Sequence, residues 1–189
     1  MNPTQIIALR AKIFLDATAA AFFPSRDSGG LQVYLNSPAS PAYSVYARQT
    51  RADDINDAIL WSKMTSSDTP TALVSYTNAV LLCQSKQINL QILLQGKEVI
   101  NTGKVNIRGA FQDALTNVPS GALNAPQGAG WSAVKTVMTR TATIAEKMLA
   151  TGAGTAAAPS DLDLDGAVSE QEAGTLMFHD NGVLWTAAG

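Results

Sequence analysis

The chain contains one cysteine, Cys83, and one histidine, His179. A single cysteine excludes an intramolecular disulfide and any cysteine-based metal site. A single histidine argues against a His-rich metal centre and an ordinary Ser-His-Asp triad. Charge is scarce too. Asp, Glu, Lys and Arg make up 15% of the 189 residues, against about 25% in an average soluble domain. With a formal net charge of −2, there is no basic surface to neutralise phosphates in bulk, and no acidic tail. The longest apolar stretches, around 17–23 and 79–83, fall far short of the ~18 residues that suggest a membrane span. The opening Met1-Asn2-Pro3-Thr4-Gln5 has neither the basic region nor the apolar core of a signal peptide. The expectation is a soluble intracellular product, one that would leave the cell by assembly into something larger and not by secretion. Together these absences favour a structural or binding role over catalysis.

What is present is mostly helical punctuation. Apolar residues make up 46% of the chain, enough for a real core. Asn2 with Pro3 and Gln5 has the spacing of a capping box, and Ile6, Leu9 and Ile13 then recur on one face. Pro24 and the run 25–30 read as a break, followed by a helical turn over 31–35. Ser40-Pro41 is expected to open a short helix through Tyr43 and Tyr46. Thr50 with Asp53 marks another start, with Ile55, Ile59 and Leu60 as its buried side. The longest periodic run starts at Thr69-Pro70 and steps through Leu73, Tyr76, Val80, Cys83 and Gln87, with Gly96 as its stop. Its far end, 88–94, is also rich enough in Ile and Leu to suit a strand. Asn106 suits the cap of a helix carrying Ile107, Ala110, Phe111 and Leu115. A Pro/Gly/Ala/Asn loop over 119–130 follows, then apolar faces of Trp131, Val134 and Met138, and of Ile144, Met148 and Leu149. Leu73, Val80, Cys83, Phe111, Trp131 and Met148 are expected to share one core.

The texture changes at Thr151. Residues 151–160 are almost wholly Gly, Ala and Thr and read as a tether. In 161–165 acid alternates with leucine, which is strand-like. Ser169 and Glu172 form a second capping box, and Asn181-Gly182 is a turn signal. The predicted architecture is mainly α: a helical domain over 1–150, a Gly/Ala/Thr-rich tether over 151–160, and a strand–turn–helix appendage with its tail over 161–189. The appendage carries so much apolar surface for its length that it must dock, either on its own helical domain or on a neighbouring subunit, which is the natural recipient in a symmetric assembly.

The most specific motif lies in that appendage. Residues 161–172 match a twelve-residue calcium loop, with oxygens from Asp161, Asp163, Asp165, the Ala167 carbonyl and Glu172, a turn at Gly166, and Ser169 placed to hold a water. Against it stand Leu162 and Leu164 within the loop, a Gly/Ala segment where the entering helix belongs, and no second loop. The strand, turn and Ser-capped helix reading is preferred, and no metal ligand is assigned. His179 beside Asp180 reads as a helix end, since no nucleophile accompanies it. Cys83 reads as a small buried hydrophobe. Trp61, Trp131 and Trp185 lack interleaved basic residues and read as core or interface anchors. Asp53, Asp54 and Asp57 suit the positive end of a helix dipole. No catalytic, cofactor-binding or metal-binding residue is therefore assigned.

Four stretches carry a likeness: MNPTQIIALRAKI, LNSPASPAYSVY, the 107–115 helix and the block 141–169. In these the chain resembles a family of small tailed-bacteriophage proteins whose genes lie among virion and tail genes. The resemblance implies a non-enzymatic structural component of the virion. A tail adaptor or collar element that docks fibres or joins tail parts comes first, and a head decoration or head-to-tail connector protein second. It implies partners among other virion proteins and copies of the chain itself, with no nucleic acid and no membrane. Family members usually lack the alternating aspartates, which weighs further against the calcium-binding interaction module that is the competing reading.

Overall fold

The computed structural model describes residues 1–64, 75–116, 130–164, 166–179 and 182–186. Among the described residues the protein is mainly α, 56% helical and 11% strand. It divides into two compact units. The first is built from Met1–Val45 and Thr141–Gly189, the second from Tyr46–Arg140. Both ends of the chain contribute to the first unit, a grouping that the change of composition at 150 and 160 does not mark.

The first unit contains α1 (Pro3–Ile13), α2 (Ala17–Ala20), α3 (Phe22–Ser25), α4 (Ser28–Asn36), α9 (Ile144–Leu149) and α10 (Glu170–Met177). Its helix starts are set locally. Asn2 accepts from Gln5 N at 2.8 Å, and Gln5 Oε1 accepts from Asn2 N at 2.9 Å, the expected capping box. Ser169 and Glu172 form the same box on α10, and Thr143 and Glu146 form a third on α9. α4 starts earlier than expected. Asp27 accepts from Gly30 N at 2.8 Å, so the glycine pair lies inside the helix. A Cβ on Gly30 would strike the Asp27 carboxylate and the Phe22 ring, so this cap requires glycine there.

The core of this unit joins Leu9, Ile13, Leu31 and Leu35 to Leu164, Val168, Ala173, Leu176 and Met177, all buried. α10 packs on α1 and α4. Leu164, Val168 and α10 thus pack within the first unit, the own-chain one of the two expected docking sites. The Gly/Ala segment is stitched down through its backbone. Ser44 N donates to Gly154 O at 2.7 Å, and Ser160 N donates to Ser44 O at 2.9 Å. Tyr43 gives its hydroxyl proton to Gly152 O at 2.9 Å, so the Ser160 hydroxyl must donate to Tyr43. Gly154 has φ +60°, and a Cβ there would run into the Tyr43 ring. Small residues let the chain lie against these groups. Residues 161–164 form one bridge, Thr151 with Asp161, where a strand was expected. Asn36 fixes the following turn by donating to Val168 O at 2.8 Å and accepting from Val168 N at 2.7 Å. Asn36→Ala should cost about 1–3 kcal/mol, the penalty for leaving both groups without partners. Chemical denaturation of the variant measures it.

The second unit contains β2 (Thr50–Arg51), α5 (Ala52–Ala58), α6 (Tyr76–Leu94), β3 (Val99–Ile100), α7 (Val105–Thr116) and α8 (Trp131–Val137). β2 and β3 pair antiparallel, Thr50 opposite Ile100. Beside them Thr102 Oγ1 donates to Ala47 O at 2.5 Å, so Thr50 must donate to Thr102 across their 2.8 Å contact. The core gathers Ile55, Ile59, Met64, Cys83, Leu90, Phe111, Leu115, Val134 and Met138. Buried Arg108 donates to the carbonyls of Thr102 and Gly103 at 2.9 and 2.7 Å, and its guanidinium lies 3.8 Å from the Tyr46 ring centroid.

Of the six expected core positions, Cys83 and Phe111 are buried in the second unit, and Val80 and Trp131 are half-buried there. Met148 is half-buried in the first unit, and Leu73 lies outside the described residues, as do the Thr69-Pro70 start and the loop up to residue 129. Leu60, expected inside, is exposed. The segment expected as a helix after Pro41 forms a strand, β1 (Ser44–Tyr46), in a two-stranded sheet with β4 (Thr139–Thr141). Residues 88–94 belong to α6.

Candidate functional site

The motif residues are largely committed to packing. Glu172 Oε2 accepts from Ser169 N at 2.9 Å and Ser169 Oγ at 3.0 Å, while Oε1 pairs with the Met1 amine. The amine first, then the Ser169 backbone, hold this carboxyl below its ordinary range. Both oxygens that a calcium loop needs from its last position are thus in use. Leu164 and Val168 are buried, the Asp163 carbonyl accepts from Gln5 Nε2 at 2.6 Å, and Asp165 lies outside the described residues. Among the described residues no three metal-ligating side chains cluster.

His179 stacks on Trp185 with ring centroids 3.3 Å apart and an interplanar angle of 27°. The Arg10 guanidinium lies 3.9 Å from the Trp185 ring centroid and donates to the Leu176 and Thr175 carbonyls at 3.1 and 2.8 Å. Asp180 lies outside the described residues. The arrangement closes the C-terminal end of α10, where a cation complements the free carbonyls. Burial pushes the Cys83 thiol up, which disfavours the nucleophilic thiolate. A small pocket in the first unit holds Tyr34, Asp16, Lys12 and Lys147. The Tyr34 hydroxyl lies 3.1 and 3.0 Å from the two Asp16 oxygens. Burial, then the hydrogen bond to Asp16, raises the phenol above its usual value. The fold therefore favours the neutral phenol. Its contribution is complete below about pH 10, the unfolded value, and is lost as pH rises through the folded value. In thermal melts across that range, Tyr34→Phe should show a shallower alkaline decline than the parent protein.

Two surfaces of the second unit stand apart from this packing. The first is the outer face of α6. Cys83 and Leu90 turn inward, yet Leu81 is 58% exposed, Ile88 53% and Ile92 61%. Their spacing, with Ser85 between, steps by four, three and four residues, the interval of a helix–helix seam over about 16 Å. Lys86 is the sole charged residue of α6, and it turns aside to Asp113 at 2.7 Å. Asn78, Leu81, Leu82 and Ser85 border an open groove at the start of this face. The buried-face stepping through Val80, Cys83 and Gln87 hides this second stripe in the sequence. The signal was its apolarity on both sides, which no packing on one side satisfies.

The second is a cleft of about 590 Å³ between α5, the turn at Trp61 and the end of α6. Asp53, Asn56, Trp61, Gln91, Gln95 and Lys97 line it. Trp61 Nε1 donates to Asn56 O at 3.2 Å, which fixes the ring. Gly96, with φ +69°, ends α6, and Lys97 Nζ returns to Leu93 O at 2.8 Å. No local sequence pattern marks this cleft, because its walls come from segments thirty residues or more apart.

Compared with known proteins, the chain matches no protein-family model, no curated protein and no solved structure.

Proposed function

We propose that the chain is a non-enzymatic structural component of a tailed-phage virion, first as a tail adaptor or collar element that docks fibres or joins tail parts. The observation that carries this reading is the outer face of α6. Large apolar side chains in contiguous exposed patches mark interaction surfaces, and a face without charge suits contacts that close by packing more than by ion pairing. Its partners are other virion proteins and copies of the same chain, meeting in a symmetric assembly. The low charge of the whole chain fits a surface that is largely covered after assembly. The resemblance to tail-module proteins in the four stretches quoted above supports the same reading, with a head decoration or connector protein as its second form. The C-terminal segment acts as a clasp within its own unit, and α6 takes the docking role first expected of it.

Mass spectrometry of purified particles of the encoding phage tests this. The chain should be present in a fixed multiple of the copy number of a tail or head protein. Its absence from particles that carry all other structural proteins would remove the proposal.

A further inference from the structure

We propose that the cleft of the second unit, bordered by Trp61 and the end of α6, binds a neutral oligosaccharide. This goes beyond the assembly reading and does not depend on it. The first reason is the donor and acceptor set. Asn56, Gln91 and Gln95, three residues with primary amides, line the cleft. Among the described residues none of these amides has a hydrogen-bond partner within the chain; the Asn56 contact to Trp61 uses the backbone carbonyl alone. A primary amide offers donors and acceptors side by side. Vicinal sugar hydroxyls, each both donor and acceptor, complement that pairing.

The second reason is the wall. With its N–H spent on Asn56 O, Trp61 has only ring surface left to offer. It is half-buried against the core and so is held in place before any ligand arrives. An indole surface packs against the apolar C–H face of a pyranose ring while the amides reach its hydroxyl edge. The third reason is charge. The lining holds one carboxylate, Asp53, and one ammonium, Lys97. Asp53 lies 3.6 Å from exposed Arg51, and Lys97 is drawn to the Leu93 carbonyl. Among the described residues of the lining, no cluster of cationic donors is present to hold a phosphate, sulfate or carboxylate. The volume, about 590 Å³, lies within the range of small-molecule sites.

The test uses the full chain on an array of neutral, sialylated and sulfated glycans, with saturation-transfer NMR on any neutral hit and on maltotriose and triacetylchitotriose. At least one neutral glycan should bind saturably, with transfer to its ring C–H protons. Gln91→Ala with Gln95→Ala, both at exposed positions, should weaken it at least tenfold with an unchanged melting temperature. Trp61→Ala should abolish it. Three results would overturn the proposal: no neutral glycan bound, binding untouched by the glutamine pair, or binding confined to charged glycans. Enrichment of short peptides by the same cleft in a display library, without glycan binding, would assign it to another ligand class.

Discussion

Truncation after Pro159 is expected to abolish fixed packing in the first unit. The cut removes Leu164, Val168, Leu176 and Met177 from contact with Leu9, Ile13, Leu31 and Leu35. At about 1.5–3 kcal/mol for each large side chain, the lost burial amounts to about 6–12 kcal/mol. That is comparable to the whole stability of an ordinary domain. The cut also removes the carbonyls that Arg10 caps and the Val168 backbone held by Asn36. Amide exchange over 3–36 should become fast, and aromatic signals from Phe14, Phe23 and Tyr34 should lose dispersion. A truncated chain with native protection over these helices would show that the C-terminal segment is no part of this core.

Phe111→Ala is expected to be the most damaging single substitution in the second unit. Phe111 is fully buried in the cluster of Ile55, Met64, Cys83, Leu90 and Val134. Truncating a buried phenylalanine costs about 3–5 kcal/mol, since the cavity adds to the lost transfer free energy. Because α6 packs on α7, the variant should loosen α6 as well. Denaturant titration followed by exchange over 83–94 and 105–116 measures both effects. A cost below about 1 kcal/mol would mean that the site collapses around the missing ring.

The sequence was most legible where one turn of chain decides the outcome. Asn2 with Gln5 and Ser169 with Glu172 announce their helices because the capping contacts lie three residues apart. Thr143 with Glu146 carries the same three-residue signal ahead of the apolar residues of α9. Gly29-Gly30 looked like a break, because the Asp27 cap that makes glycine suitable there is a contact of the folded state. The strand at 44–46 depends on a partner nearly a hundred residues away. The Gly/Ala segment likewise depends on distant groups. Its anchors, Tyr43 and Ser44, are remote, and its own contribution is backbone, which composition does not show. The two-unit division rests on the return of 141–186 to the first 45 residues, a long-range choice that periodicity leaves open. On α6 the inward residues follow the regular stepping, while Leu81, Ile88 and Ile92, the exposed residues of the proposed docking face, look the same in sequence as core positions.

The claim that the outer face of α6 is an assembly surface is tested most directly by incorporation. Phage particles are purified from cells supplying either the parent chain or the double variant Leu81→Asp with Ile88→Asp, and the chain is quantified in each. Both substitutions lie at exposed positions, so the melting temperature should stay within a few degrees. The account predicts parent chain in the particles at fixed stoichiometry and the variant reduced at least tenfold. Equal incorporation of the folded variant would contradict it.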